Sequence, residues 1–157
     1  MTTPTSTDYT GRTVDLEAMQ TVMAPATSRR LELTSTSGDT SRRITGIQKL
    51  AQRYAILFLT LNGSVRFRPT QGAEFVGVVA AGRIQDRNSL LGYFVSADAD
   101  VKQQLADEVT EDDPDDEVLA SSELIDYDVS PGTGRLWLRV NLTSRAGDSY
   151  TFFIPAS

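Results

Sequence analysis

The sequence predicts an α+β domain in which a central amphipathic helix and shorter helices pack on a C-terminal antiparallel sheet of three strands. Apolar residues recur at spacings of three and four over residues 44–61, which places them on one face of a helix. In the last third of the chain, apolar and polar residues alternate on both sides of two turn sequences, at residues 131–134 and 146–148. We therefore expect the helix to cover the apolar face of a meander.

The central helix is expected over residues 45–61. Thr45 and Gln48 have the spacing of a capping box, which satisfies N–H groups at a helix start. Gly63 supplies a left-handed residue of the kind that commonly closes a helix. The expected buried face consists of Ile44, Ile47, Leu50, Tyr54, Leu57, Phe58 and Leu61.

Residues 1–43 are predicted to form an N-terminal extension or arm, partly disordered when alone, and residues 44–157 the domain itself. The first 13 residues are rich in Thr and Ser without apolar periodicity. Residues 14–23 have a weak helical pattern that ends before Pro25. Residues 30–34 alternate and predict a short strand.

Four segments connect the central helix to the meander. Residues 65–68 alternate apolar and basic, which predicts a half-buried strand with Arg66 and Arg68 outside. Residues 73–81 form a buried apolar run, helical or irregular. Residues 98–109 predict a helix with Asp98 as its N-cap. Residues 108–117 place seven carboxylates around a proline, which predicts a mobile connector.

Composition excludes several classes of function. The chain has no cysteine and no histidine, so thiol chemistry, disulfides and histidine-based catalysis are excluded. We find no apolar run of about 20 residues and no signal-peptide pattern, and we expect no membrane contact. The net charge of −6 argues against nucleic acid as the main partner. Residues 29–68 nevertheless carry eight Arg/Lys against two Asp/Glu, which suits differently charged neighbours.

A motif at the end of the central helix carries a family resemblance. Residues 59–72 read L-T-x-x-G-S-x-R-x-x-P-x-x-G and precede an acidic connector and three predicted strands. This order resembles the baseplate-wedge and sheath-initiator family of contractile phage tails, which is similar in turn to the lysozyme-like baseplate component of type VI secretion systems. The resemblance covers residues 44–155.

The resemblance implies a structural, non-enzymatic protein without cofactor or metal. It would stand in six copies around the tail tube, in the baseplate of the virion, after assembly in the host cytoplasm. Its implied partners are the tail sheath protein, the baseplate wedge proteins and the tail tube or hub proteins. The expected sheath contact is strand pairing, because an edge strand offers unpaired backbone groups. The strand expected to pair is Tyr150, Thr151, Phe152, Phe153 and Ile154.

The resemblance also implies a wedge or tube interface. We assign to it the motif residues together with the proline of the acidic connector and the single tryptophan, which the alternation places on the outer face of the sheet. The family usually carries Glu-Pro-Arg before its C-terminal strands, whereas residues 113–116 here read Asp-Pro-Asp-Asp. The expected interface residues are Arg66, Arg68, Pro69, Gly72, Pro114 and Trp137.

Two other functions stay open on the sequence. A muramidase-like domain needs two carboxylates across a cleft, and Glu74 in its apolar run has Asp86 or Glu17 as distant candidate partners. A soluble protein-binding module without a role in a virion is the other alternative. The carboxylates of residues 108–117 lack the glycine and the alternate-residue spacing of a calcium loop.

Overall fold

The computed structural model describes residues 13–16, 19–23, 29–33, 43–130 and 135–155. The described residues form three α-helices, one 3-10 turn and seven strands. These elements are β1 Asp15–Leu16, β2 Met19–Met23, β3 Arg29–Leu33, β4 Arg43–Ile44, α1 Ile47–Leu59, α2 Phe75–Ala80, α3 Arg87–Asp107, the 3-10 turn Asp115–Glu117, β5 Leu119–Ser130, β6 Arg135–Ser144 and β7 Ser149–Pro155.

The C-terminal strands form the predicted antiparallel meander in the order β5-β6-β7. Val140 in the middle strand lies opposite Leu124 on one side and Phe152 on the other. The second predicted turn joins β6 to β7, and Gly147 in it has a φ of 90°. The first predicted turn, residues 131–134, lies outside the described residues. With helices packed on this sheet, the α+β prediction is confirmed.

Helix α1 forms the centre of the core. Leu50, Tyr54 and Phe58 on its buried face are at most 1% exposed. The Tyr54 ring meets Phe152 of β7 edge-on at 6.1 Å between centroids, and the Phe58 ring lies 5.7 Å from Phe94 of α3. The helix therefore packs against the sheet and α3 at once. The predicted face is confirmed except at its ends, since Ile44 belongs to β4 and Leu61 is 43% exposed beyond the helix.

Helix α3 begins eleven residues earlier than the sequence predicted. Asp86 is its N-cap: the carboxylate accepts a hydrogen bond from Ser89 N at 2.7 Å, and Ser89 Oγ accepts one from Asp86 N at 3.1 Å. Asp98, the predicted cap, is instead buried in the middle of the helix. Gly92, inside α3, is exposed, and a glycine there costs only about 1 kcal/mol relative to alanine.

Two other local predictions were wrong. Residues 14–23 contain β1 and β2 rather than a helix, because each pairs with a distant strand, β4 and β3 respectively. Residues 65–68 form turns rather than a strand. The strand predicted at residues 30–34 is confirmed as β3. Disorder was predicted for the first residues of the chain. Of these, residues 1–12 lie outside the described part of the chain.

The predicted capping box at the start of α1 is also replaced by another arrangement. Gly46 is the N-cap, with no side-chain capping bond, and Glu117 of the 3-10 turn serves the helix start instead. The Glu117 carboxylate accepts from Gly46 N and Thr45 Oγ1, both at 3.2 Å, and lies 2.5 Å from Lys49 Nζ. Its side chain is 2% exposed. The end of the predicted mobile connector is thus fixed to α1 by a buried ion pair.

Glu117→Gln is expected to lower the free energy of unfolding by about 3 kcal/mol, because it leaves the Lys49 charge without its buried partner. Urea unfolding followed by far-UV circular dichroism measures this. Asp115→Asn is the matched control, since Asp115 and Arg145 form a pair at 3.7 Å that is exposed on both sides. It should change stability by less than about 0.5 kcal/mol. Equal effects of the two variants would contradict the role of Glu117.

Candidate functional site

Strand β7, the predicted pairing strand, is an edge strand of the C-terminal sheet, bonded among the described strands to β6. Phe152 and Ile154 point into the core and are buried. Phe153 lies half-buried on the outer face, edge-on to Trp137 at 5.7 Å, with the Arg139 guanidinium 5.7 Å from its ring centroid. The aromatic side chains of β7 therefore contribute to the domain's own packing.

The backbone of β7 offers hydrogen-bonding groups at alternate residues. Ser144 N donates to Asp148 O at 2.8 Å, which makes these residues a hydrogen-bonded pair next to the turn. Alternation along an antiparallel ladder then directs the N–H and C=O groups of Phe152 toward β6 and those of Thr151 and Phe153 toward the outer edge. The Thr151 side chain is exposed and donates to Asn141 Oδ1 at 2.9 Å.

A second strand lies beside this edge. Strand β3 approaches β7 to within 8 Å between Cα atoms, although the two belong to different sheets. Tyr150, the remaining predicted pairing residue, is half-buried and stacks on Phe152 at 6.3 Å between ring centroids. An incoming strand that pairs with β7 would therefore have to fit beside β3 or displace it.

The motif of the family resemblance forms a closed loop over residues 60–73, here called the 60–73 loop. Its ends bond to each other: Ala73 N donates to Thr60 O at 2.8 Å and Asn62 N to Ala73 O at 3.2 Å. Gln104 of α3 holds the loop at Gly72, with one 2.8 Å bond from Gly72 N and another to Gly72 O. The loop is therefore fixed on both the end of α1 and the side of α3.

Gly72 occupies a position that only glycine fits. Its φ of 102° lies in a region that L side chains rarely adopt, and a Cβ here would stand 2.2 Å from Thr60 O. The obstruction is backbone, which cannot rotate away. This glycine of the motif thus lets the two ends of the loop approach each other.

The tip of the loop presents an aromatic ring between two cations. Phe67 is 87% exposed, and the Arg66 guanidinium lies 5.5 Å from its ring centroid. Arg68 Nη1 is 3.6 Å from Glu108 Oε1, and Arg53 Nη2 is 2.8 Å from Glu108 Oε2. The sequence placed Phe67 on the buried face of a strand, which was wrong. Gly63 and Pro69, which bracket the segment, were the available signal for a loop.

The predicted wedge or tube residues separate into three places. Arg66, Arg68, Pro69 and Gly72 lie together in the 60–73 loop, the first three exposed. Trp137 lies in β6, half-buried against Phe153, and so belongs with the β7 edge. Pro114 is half-buried just before the 3-10 turn, where its carbonyl accepts from Glu117 N at 2.9 Å.

A buried polar network that the sequence did not predict joins α1, α3 and β5. The Asp98 carboxylate accepts from Tyr54 Oη at 2.6 Å and Ser122 Oγ at 2.5 Å, and Lys102 Nζ lies 2.7 Å from it. Burial, together with the neighbouring Asp98 charge, raises the pKa of Tyr54 far above its ordinary value. Tyr54 therefore keeps its proton at neutral pH and donates its hydrogen bond to Asp98. The sequence feature that could have predicted this network is the hydroxyl of Tyr54 on an otherwise apolar helix face.

Of the carboxylates considered for hydrolysis, the two that the structure describes, Glu74 and Asp86, are both exposed. Glu74 is exposed at the start of α2. Bonds from Ser89 lower the pKa of Asp86, which is the opposite of what a general acid needs. Glu17 lies outside the described residues. Within the described ranges, no three acidic side chains are grouped so that they could hold a metal ion.

Comparisons with known proteins add no relative: no family model matches the chain, and no curated protein or solved structure is significantly similar to it. Among the described helices, none has the length and apolar character required to cross a membrane. The β7 edge and the 60–73 loop are therefore the two features of the chain that bear on its function.

Gly72→Ala is expected to lower the free energy of unfolding by about 3 kcal/mol, because it adds backbone strain to a direct clash with Thr60. Gly63→Ala is the matched control. Gly63 also has a positive φ, 82°, but a Cβ there meets nothing within 4 Å. It should cost only about 1 kcal/mol. Urea unfolding of both variants measures the difference, and similar losses would contradict the close approach at Gly72.

Tyr54→Phe is expected to change how stability depends on alkaline pH. The unfolded chain loses the Tyr54 proton as pH rises above the ordinary pKa of 10.0, whereas the folded chain keeps it. The stabilisation that the raised pKa of Tyr54 contributes is therefore fully present below pH 10.0. Above that pH it decreases by about 1.4 kcal/mol per pH unit.

Because the other tyrosines are unchanged, the difference between the native chain and Tyr54→Phe isolates this group. The two free energies of unfolding should differ by a constant below that pH, with the native chain more stable by about 2 kcal/mol. They should converge above it. Parallel curves in denaturant titrations from pH 8 to 11 would exclude the raised pKa.

Proposed function

We propose that the chain is a structural protein of a contractile phage tail baseplate that initiates sheath assembly by strand pairing at β7. The observation that carries the proposal is the position of β7 at the edge of the sheet, with the backbone groups of Thr151 directed outward. An extended segment of a sheath subunit can complete such a ladder.

The packing of β7 supports this role. Phe152 and Ile154 fix one face of the strand in the core, and Phe153 is fixed on the other face by Trp137 and Arg139. A strand held on both faces keeps its backbone extended. An incoming segment then meets a preformed template, and the main free-energy cost of pairing is the ordering of that segment.

The 60–73 loop contains the motif that carries the family resemblance. In this chain Thr60 and Gly72 of the motif meet at the closure of the loop, and Gly72 has a backbone conformation that requires glycine. In the proposed assembly this loop contacts the wedge proteins or the tube or hub. Six copies would then surround the tube in the virion, and the chain acts without enzymatic activity or cofactor.

Thr151→Pro is the variant that tests strand pairing. It removes an N–H that points to the outer edge, and proline is tolerated in edge strands when the lost donor faces outward. We expect it to abolish nucleation of purified sheath protein, measured by sedimentation of polymerised sheath. Thr151→Val is the matched control, because it loses the same bond to Asn141 but keeps the backbone N–H.

The two variants separate the outcomes. Normal nucleation by a folded Thr151→Pro chain would overturn strand pairing at β7. Loss of nucleation in both variants would assign the effect to the side chain rather than to the backbone edge. Circular dichroism of each variant verifies that the meander has formed. Cleavage of peptidoglycan by the native chain would instead favour the muramidase-like alternative.

A further inference from the structure

We infer that Phe67 anchors the 60–73 loop in an apolar pocket, edged by carboxylates, on a neighbouring tail protein. This deepens the proposed function, on which it rests for its setting in an assembled baseplate. It identifies the anchoring side chain and the chemistry of the surface that receives it. Strand pairing at β7 uses different residues, so the two contacts can fail separately.

Exposure alone does not make Phe67 a binding residue, because single exposed apolar side chains are common. Phe67 differs in where it stands. It is more exposed than any other large apolar side chain among those described, at 87%, compared with 64% for Val95 on α3. It also lies at the tip of a loop whose shape is fixed from both ends.

The hydrogen bonds inside the 60–73 loop fix its shape before any partner arrives. Ser64 N donates to Leu61 O at 3.0 Å, Arg68 N to Val65 O at 3.1 Å and Gln71 N to Arg68 O at 3.0 Å. Closed loops of this size with their own internal bonds are frequently functional. Because the backbone around Phe67 is already ordered, docking costs little conformational entropy.

The charges of the loop define the partner. Residues 60–73 contain Arg66 and Arg68 and no acidic residue, in a chain whose net charge is −6. Arg68 is 67% exposed in its side chain and pairs with Glu108 only at 3.6 Å, so it is available to a stronger acceptor. Aromatic residues, Phe among them, and arginine are enriched at protein–protein interfaces relative to the rest of the surface. The complementary surface is an apolar pocket with Asp or Glu at its edge.

A protein fits this surface better than nucleic acid does. Binding to phosphates needs an extended basic track. Here Glu108 pairs with both Arg53 and Arg68 next to the loop. Glu111 and Asp112, which follow along the chain, are exposed and would repel a phosphate backbone. Two arginines beside a single ring suit a localised acidic edge.

Site-specific photo-crosslinking in assembling tails tests the inference. The full chain is produced with Phe67→p-benzoylphenylalanine in cells that make the complete tail, and is irradiated after assembly. The expected product is a crosslink to another tail protein, at a peptide that has apolar residues and at least two Asp or Glu near the crosslinked position. Val95→p-benzoylphenylalanine is the matched control and should not label that peptide.

A charge-reversed chain, Arg66→Glu with Arg68→Glu and the same crosslinker, should reduce the yield by about tenfold, equivalent to about 1.4 kcal/mol. In a Thr151→Pro chain the crosslink should persist while sheath nucleation is lost, which separates this contact from β7. The inference is overturned by the absence of a crosslink from position 67. It is equally overturned by crosslinking to nucleic acid, to a second copy of this chain or to a segment without acidic residues.

Discussion

The burial of α1 between the sheet and the other helices is the constraint on which the rest of the structure depends. Tyr54 and Phe58 stand at its centre, and their rings touch β7, α2 and α3. Because interiors are close-packed, a helix held on these sides leaves little freedom for its neighbours. Both candidate binding surfaces derive their positions from it. The 60–73 loop begins where α1 ends, and β7 packs its inner face on the helix.

Two buried carboxylates give this packing its register. Glu117 joins the 3-10 turn to the start of α1, and Asp98 joins α3 to Tyr54 and to Ser122 of β5. Apolar contacts alone are non-directional and tolerate sliding. A buried charge is costly unless its partners are in place, so each carboxylate favours one arrangement over its shifted alternatives. The acidic residues in the connector therefore differ in role: Glu117 is structural, whereas Glu111 and Asp112 face solvent.

Sequence periodicity predicted the elements that need only an apolar layer to pack against. It missed the elements that depend on one particular residue or strand elsewhere in the chain. The buried face of α1 and the alternation in β6 follow from contact with any apolar layer, and both were predicted correctly. The capping of α1 by Glu117 depends on a residue about 70 positions away, which no local pattern contains. Strands β1 and β2 depend on pairing with β4 and β3. In the site, the sequence predicted a strand at residues 65–68, whereas these residues belong to the closed 60–73 loop and Phe67 is exposed.

The β7 edge and the 60–73 loop would be recognised in different ways, and this difference suggests which contact forms first in the proposed assembly. Strand pairing at β7 uses backbone groups, so it tolerates many sequences, but the incoming segment must first become extended and ordered. The 60–73 loop has its internal hydrogen bonds in place already, and in the proposed assembly it recognises a shaped, charged surface through Phe67 and its arginines. A chain docked first through the loop would hold its β7 edge at a fixed place on the baseplate. The sheath segment would then pair at a high effective concentration, which compensates for the entropy that it loses.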